Sequence, residues 1–251
     1  TREYFRKVKV KKIPHFKPLY PTFYKKYSNF FKPHVLCRFS IFYFSVLTFY
    51  SLFWYFCRMI SRNDIKHFYN RIKQLLLYPG REWAIIRQEE DSSSRLFNLF
   101  FIPVTGIVSL VVIPGGIYRF GIFQGILYSL INFISATAGV YLAFFIIREY
   151  LNNKIPDAEN TALHLTVYSA SVFIVFHSLS VALINGFFSQ LLSLISLIFI
   201  RTLYAGISAV TRLEVNQKTN TLIIAALSII CIPVIFKRLL MILFHIPILN
   251  L

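Results

Sequence analysis

The pattern of apolar and charged positions divides the chain into long uncharged runs separated by short polar segments. Four runs contain no Lys, Arg, Asp or Glu, and they cover residues 96–118, 120–147, 161–185 and 220–236. A fifth run, residues 186–210, contains a single charge, Arg201. These runs are close to the roughly 20 residues that a helix needs to cross about 30 Å of hydrocarbon. The pattern therefore predicts transmembrane segments.

Each of these segments is expected to be a helix. An unpaired backbone N–H or C=O in hydrocarbon costs several kcal/mol, and a helix pairs these groups within one segment. The fold class that we predict is an all-α membrane protein, a bundle of five transmembrane helices preceded by an interfacial amphipathic helix. Within the transmembrane domain, residues 96–251, the spans are placed at about 96–118, 120–147, 161–185, 186–210 and 220–243.

The basic residues that flank the spans predict their orientation, because Lys and Arg near span ends are retained on the cytoplasmic side. Residues 58–95 hold eight of them, so we place this segment in the cytoplasm. Residues 148–160 and 211–220 then lie inside, and the C-terminus lies outside. Lys237 and Arg238 at the outer end are exceptions that the scheme tolerates if their stems snorkel to the interface. The predicted location is therefore a membrane, with residues 58–95 on its cytoplasmic side.

Residues 1–58 form a basic, aromatic-rich N-terminal extension that does not fit this scheme. They contain 19 aromatic residues and a single acid, Glu3, and residues 39–57 are another uncharged run. If that run also crossed the membrane, residues 1–38 with eleven Lys and Arg would lie outside, against the charge rule. Our hypothesis is that residues 1–58 are translated upstream sequence and that the protein begins at Met59. The alternative is a genuine basic arm with an interfacial aromatic helix.

Residues 63–95 are predicted to form a cytosolic amphipathic segment that lies on the membrane surface. The apolar side chains of its first helix fall on one face, at Ile65, Phe68, Ile72, Leu75 and Leu76. Pro79 and Gly80 are expected to end that helix, and a second short turn follows. The membrane-surface anchor is assigned to Phe68, Ile72, Leu75 and Trp83.

The net charge of +17 suggests an anionic partner. No motif of the base-reading type accompanies the basic residues, so nucleic acid is not expected. The lipid bilayer with its anionic headgroups is the simpler partner. A membrane or cytosolic protein that docks on the same segment is the alternative, and an oligomer is possible.

The third span carries polar side chains on one helical face. They are His164, Tyr168, Ser171, Ser178 and Asn185, at offsets of 0, 4, 7, 14 and 21 residues. We expect this face to point into the bundle and to bond with Gln124, Asn132 or Gln190. Arg201 joins this candidate network, since an arginine near mid-span costs roughly 2.5–3.5 kcal/mol and needs a partner. The network acts either as bonding between helices or as a path for a solute or proton.

Small residues in the first two spans predict close packing of helices. Gly121 and Gly125 form a GxxxG pair, and Ser135 with Gly139 forms a second pair of small residues four positions apart. Such pairs let two backbones approach and gain dispersion contacts. Packing within one chain is the preferred interpretation, and a dimer contact is the alternative.

No arrangement of residues typical of catalysis is found. The sequence lacks GxSxG, HExxH, a Walker loop and a carboxylate pair within a span. His177 lies far around the helix from His164, so the two cannot share a metal from one face. Cys37, Cys57 and Cys231 are isolated and signal neither a metal site nor a disulfide framework. We therefore expect a protein that is not an enzyme and has no cofactor.

Two stretches resemble the Yip family of five-span, Ypt-interacting membrane proteins, in particular its bacterial members. They are YPGREWAIIRQEED before the first span, and RTLYAGISAVTRLEVNQKTNTLIIAALSIICIPVIF across the fourth and fifth spans. The resemblance covers about residues 65–236, and it implies a location in the cytoplasmic (inner) membrane of a bacterium. It implies a role in organising membrane or protein partners, since the eukaryotic relatives bind small GTPases in vesicle traffic. A small-solute transporter or channel built on the polar face of the third span is the alternative.

Overall fold

The computed structural model describes residues 62–89, 93–211 and 213–246. The N-terminal extension, residues 1–58, and its possible extra helix at residues 39–57 lie outside the described residues. Both interpretations of that extension therefore stay predictions.

Every regular element in these three ranges is helical, and none is a strand. The α-helices are α1 (Arg62–Leu77), α2 (Pro79–Ile86), α3 (Ser93–Leu96), α4 (Ile102–Phe120), α5 (Ile122–Asn152), α6 (Ala158–Ala182), α7 (Gly186–Ser196), α8 (Phe199–Val210) and α9 (Val215–Leu243). A π-helical turn, Phe97–Phe101, joins α3 to α4 without a break.

Within the described ranges, five helical segments are long and apolar enough to cross a membrane. They are Phe97–Phe120, Ile122–Asn152, Ala158–Ala182, Gly186–Val210 and Val215–Leu243. The predicted all-α class and the five spans are thereby confirmed, and the chain is a multi-pass membrane protein in its architecture. The second span is longer than expected, because its 31 residues extend over about 46 Å and end in a polar segment.

The fourth span is not one straight helix, which the sequence did not predict. Between α7 and α8 the backbone hydrogen bonds join residues that are three positions apart instead of four. One of them runs from the Leu197 N–H to the Leu194 carbonyl at 3.1 Å. At the same place the Ser196 hydroxyl donates to the Ser193 carbonyl at 2.6 Å. A serine that bonds back to its own helix competes with the regular ladder and bends it.

Helix α6 lies at the centre of the bundle. It packs against α4, α5, α7 and α8, and also against α1 outside the spans. Every side chain from Thr161 to Ile174 is buried. In contrast, α7 and α9 expose large apolar side chains such as Phe187, Leu194 and Leu239. Surfaces of this kind face hydrocarbon in a membrane protein.

Residues 62–89, with helices α1 and α2, form a cap that packs on one end of the bundle. We call this the cap end, and we call the opposite end, where Gly121 joins α4 to α5, the hairpin end. The side chains of Phe68, Leu75 and Trp83 are buried in the protein core. Their assignment to a membrane-surface anchor is therefore wrong, because the bundle covers them. Ile72 is partly buried and packs against the same core.

Candidate functional site

The chain brings four polar side chains together where the cap meets α6. Arg71 comes from α1, Glu82 from α2, Glu89 from the residues after α2, and Tyr168 from α6. A single residue, Tyr78, separates α1 from α2, so the chain folds back at once. Pro79 starts α2, where its missing N–H is no loss and its fixed φ suits a first turn. Glu82 then lies in that first turn, where the helix dipole favours a negative charge.

Arg71 is the hub of this cluster, which we call the arginine clamp. Its Nη1 donates to Glu82 Oε1 at 2.6 Å, and its Nη2 donates to both carboxylate oxygens of Glu89. The same Nη2 lies 3.3 Å from the Tyr168 hydroxyl, which donates to Glu89 Oε2 at 3.3 Å. The guanidinium carbon lies 5.3 Å from the centre of the Tyr168 ring, within the range of a cation–π contact.

The clamp is mostly shielded from solvent. The side chains of Arg71 and Glu82 are 11% and 9% exposed, and that of Glu89 is 31% exposed. Burial lowers the pKa of Arg71, but Tyr168 and Glu89 together outweigh burial and raise this pKa above its usual value. The guanidinium is therefore a permanent positive charge that the two carboxylates and the ring hold in place.

Trp83 fixes the second helix of the cap to the bundle. Its Nε1 donates to the Thr202 carbonyl on α8 at 2.8 Å, and its ring meets the Tyr168 ring edge-on at 6.0 Å between centroids. The indole fits only because Gly206 faces it, since a Cβ at that position would lie 2.6 Å from the ring. No pattern in the sequence pairs Trp83 with Gly206, because the two residues are far apart along the chain.

The predicted polar stripe of α6 does not form one network. His164 and Tyr168 are buried at the cap end with their ring centroids 6.1 Å apart. Ser171 donates to the Val167 carbonyl of its own helix at 2.7 Å and so bridges no helices. Ser178 lies in a separate cluster. Asn185 is exposed and caps α7 by accepting from a backbone N–H at 3.0 Å.

Arg201 also lies apart from these residues. Its side chain is exposed, on the first turn of α8 beyond the bend in the fourth span. The structure therefore does not include Arg201 in the polar network that the sequence suggested.

The second polar cluster lies between α4, α5, α6 and α9, in the part of the bundle toward the hairpin end. Asn132 Nδ2 donates to Ser178 Oγ at 3.2 Å and lies 3.5 Å from Ser109 Oγ. Lys237 Nζ donates to Asn132 Oδ1 at 3.0 Å and lies 4.7 Å from the centre of the Tyr128 ring. The expectation that Lys237 snorkels to the interface is therefore wrong, because its ammonium turns toward α5.

The small residues are placed at contacts within the chain. A Cβ on Gly125 would lie 2.4 Å from the Ile117 nitrogen of α4, and a Cβ on Gly139 would lie 2.6 Å from Pro233 Cα of α9. Gly121 differs, since it has a φ of 85° and ends α4 rather than continuing a helical face. Ser135 is buried and donates to the Asn132 carbonyl at 3.1 Å.

Within the described ranges no three His, Cys, Asp or Glu side chains come close enough to hold a metal ion. No protein family model, no curated protein and no solved structure matches the chain. The polar chemistry described above is concentrated in the two polar clusters and on the surface that the cap presents.

Proposed function

We propose that the protein is a multi-pass membrane protein without enzymatic activity that gathers anionic lipid headgroups on the outer surface of its cap. One observation carries the proposal: the described acidic side chains of the cap are paired with Arg71, whereas its other described basic side chains are exposed. Both acidic side chains described in the cap, Glu82 and Glu89, are bound by Arg71. Four basic side chains point outward and are exposed, at Lys66, Lys73, Arg81 and Arg87.

This outer surface has the composition of a surface that meets lipid headgroups. Large apolar side chains lie among the four basic ones and are also exposed, including Ile65, Tyr69, Leu77 and Tyr78. A basic residue near an anionic leaflet contributes about 1 kcal/mol, and apolar groups add to this when they enter the headgroup layer. The four basic residues therefore supply an attraction on the order of 4 kcal/mol at low salt.

The arginine clamp gives this surface a fixed position. Because Arg71 of α1 binds Glu82 of α2 and contacts Tyr168 of α6, the exposed basic residues are held at one end of the spans, close to the membrane plane. In the predicted orientation that end faces the cytoplasm, where anionic lipids are concentrated. The Yip resemblance agrees with a role in organising membrane partners, and membership of that family remains part of the proposal.

Native mass spectrometry of the purified protein with an equimolar mixture of phosphatidylglycerol and phosphatidylcholine tests the proposal. Replacing Lys66, Lys73 and Arg81 with Gln should weaken the binding of phosphatidylglycerol by on the order of a hundredfold, because three charges that contribute about 1 kcal/mol each are lost. A matched variant changes three basic residues outside the cap, Lys154, Lys218 and Arg238, to Gln, and it should retain most of the lipid. Equal losses in the two variants, or no loss in the first, would refute the proposal.

A second candidate function is a small-solute transporter or channel that uses the polar face of α6. The observation that favours it is the cluster of Asn132, Ser178 and Lys237 inside the bundle. The buried apolar side chains of Phe173 and Ile174 separate this cluster from the cap end of α6. Solute flux into proteoliposomes distinguishes the two functions. Flux that His164→Ala and Ser171→Ala abolish would overturn the first proposal.

A further inference from the structure

Lys237 is a positive charge inside the bundle at the hairpin end, where the described ranges contain no acidic side chain. Apart from Glu3, the acidic residues all fall in residues 64–91 and 149–159 and at Glu214. Those that the structure describes belong to the cap and to the connections at the cap end. In the described ranges, ion pairs join Arg71 to Glu82 and Glu89, and none involves Lys237. A charge that is partly removed from water needs a counter-charge, and no described carboxylate supplies one here.

The surroundings of Lys237 are those of a site for an anion. An ammonium carries three donors. One is used on Asn132 Oδ1 at 3.0 Å, and the Tyr128 ring face lies 4.7 Å away. The Ser178 hydroxyl accepts from Asn132 Nδ2, so its own proton remains to be donated. Lys237 and Ser178 therefore present donors to one place, Asn132 holds both of them by hydrogen bonds, and His177 lines the same place.

These side chains line a cavity of about 20 Å³ between α5, α6 and α9. A cavity needs roughly 10–15 Å³ to hold one water molecule, so this cavity accepts one or two waters or a single small ion. It is too small for a phosphate group with its four oxygens. Its other walls are apolar, including Phe173, Ile174 and Pro233. Apolar walls lower the local dielectric constant and strengthen an ion pair.

We propose that this cavity is a binding site for one small inorganic anion of the size of chloride. The Lys237 ammonium is the counter-charge, and the Ser178 hydroxyl orients the anion by a hydrogen bond. Asn132 positions both groups through its own hydrogen bonds to them. The site does not depend on the function proposed for the cap, because it lies at the other end of α6 and uses none of the cap residues.

Thermal unfolding of the detergent-solubilised protein tests the site. Sodium chloride is compared with sodium gluconate at equal ionic strength, since gluconate is too large for the cavity. A ligand that binds only the folded state raises the unfolding temperature, and we expect a rise of about 2–4 °C in chloride. Lys237→Gln should abolish this rise. Arg238→Gln removes the same charge from the next residue, which is exposed, and should leave the rise intact.

The line width of the ³⁵Cl NMR signal measures the binding directly. The wild-type protein and Arg238→Gln should broaden the signal, and Lys237→Gln should not. If Lys237→Gln does not fold, Ser178→Ala keeps the charge and should weaken chloride binding several-fold. Equal unfolding temperatures of the wild-type protein in chloride and gluconate would overturn the proposal. An equal loss of the chloride-induced rise in the Lys237 and Arg238 variants would overturn it too. Stabilisation by inorganic phosphate or by phosphatidylglycerol instead of chloride would overturn it as well.

Discussion

The arginine clamp makes a sharp prediction about how the cap is held. Arg71→Met keeps an unbranched apolar stem but removes the charge and the donors at its end. Glu82 then keeps a carboxylate whose side chain is only 9% exposed and loses the cation beside it. Tyr168 loses the contact between its hydroxyl and Nη2 at 3.3 Å. We expect the cap to separate from the bundle more readily, while the spans remain folded.

The free-energy cost of Arg71→Met follows from the burial of the carboxylates that Arg71 binds. Removing one partner of a buried ion pair costs about 3–5 kcal/mol, because the other charge stays out of water. The Glu89 side chain is 31% exposed and can regain water, so its pair with Arg71 contributes little to this cost. We therefore expect a loss of about 3 kcal/mol, mainly from Glu82. This corresponds to an increase of about a hundredfold in the fraction of molecules with an undocked cap.

Trp83 reports this change directly, since its indole is fully buried against α8 and enters water when the cap undocks. In a Trp54→Phe background it is the single tryptophan of the sequence. Its emission maximum, followed through a urea titration in detergent, should shift to the red at a lower urea concentration in Arg71→Met. Lys73→Met is the matched control, because Lys73 lies on the same helix and is exposed.

A double variant identifies the source of the cost. Glu82→Leu removes the stranded carboxylate, so Arg71→Met with Glu82→Leu should recover much of the lost stability. The reasoning is refuted if Arg71→Met and Lys73→Met have the same midpoint. It is refuted equally if Glu82→Leu adds a further loss to Arg71→Met.

Three further outcomes are expected. Gly139→Ala should lower the thermal midpoint by the equivalent of about 1–3 kcal/mol, because the new Cβ would lie 2.6 Å from the backbone of Pro233. Gly186→Ala is the control and should leave the midpoint unchanged, because its Cβ would meet no atom within 4 Å. Trp83→Phe keeps most of the apolar contact but removes a buried hydrogen bond, so the cap should lose about 1 kcal/mol in the urea titration; an unchanged midpoint would contradict the assigned bond. Arg201→Leu should raise the membrane-inserted fraction in a translocon assay. The free energy of insertion should become more favourable by up to roughly 2.5–3.5 kcal/mol, since the exposed charge of Arg201 otherwise lies near hydrocarbon. A lower inserted fraction would contradict this.

The spans could be predicted from the sequence because their cause is local. A run of about 20 uncharged apolar residues is stable in hydrocarbon only as a helix, whatever its neighbours are. The same reasoning offered Asn132, with Gln124 and Gln190, as a partner of the third span, and Asn132 bonds to it, since a buried amide needs a partner on another helix. It could not predict the bend after Ser196, which no proline or glycine marks.

Whether an apolar side chain packs against protein or against lipid depended on the tertiary structure. The sequence showed that Leu75 and Trp83 belong to an apolar face, but apolar faces are buried equally well by lipid and by protein. Only the fold showed that the bundle covers them, with Gly206 leaving room for the indole.

The multi-pass helical character of this protein was therefore determined by the sequence alone, because hydropathy acts on each segment separately. The arginine clamp, the division of the α6 stripe into two clusters and the inward turn of Lys237 were decided by the tertiary structure. Each of these features joins residues that are distant along the chain, such as Arg71 with Tyr168 and Asn132 with Lys237. Their contacts arise from how the helices pack, which the periodicity of a single helix does not contain.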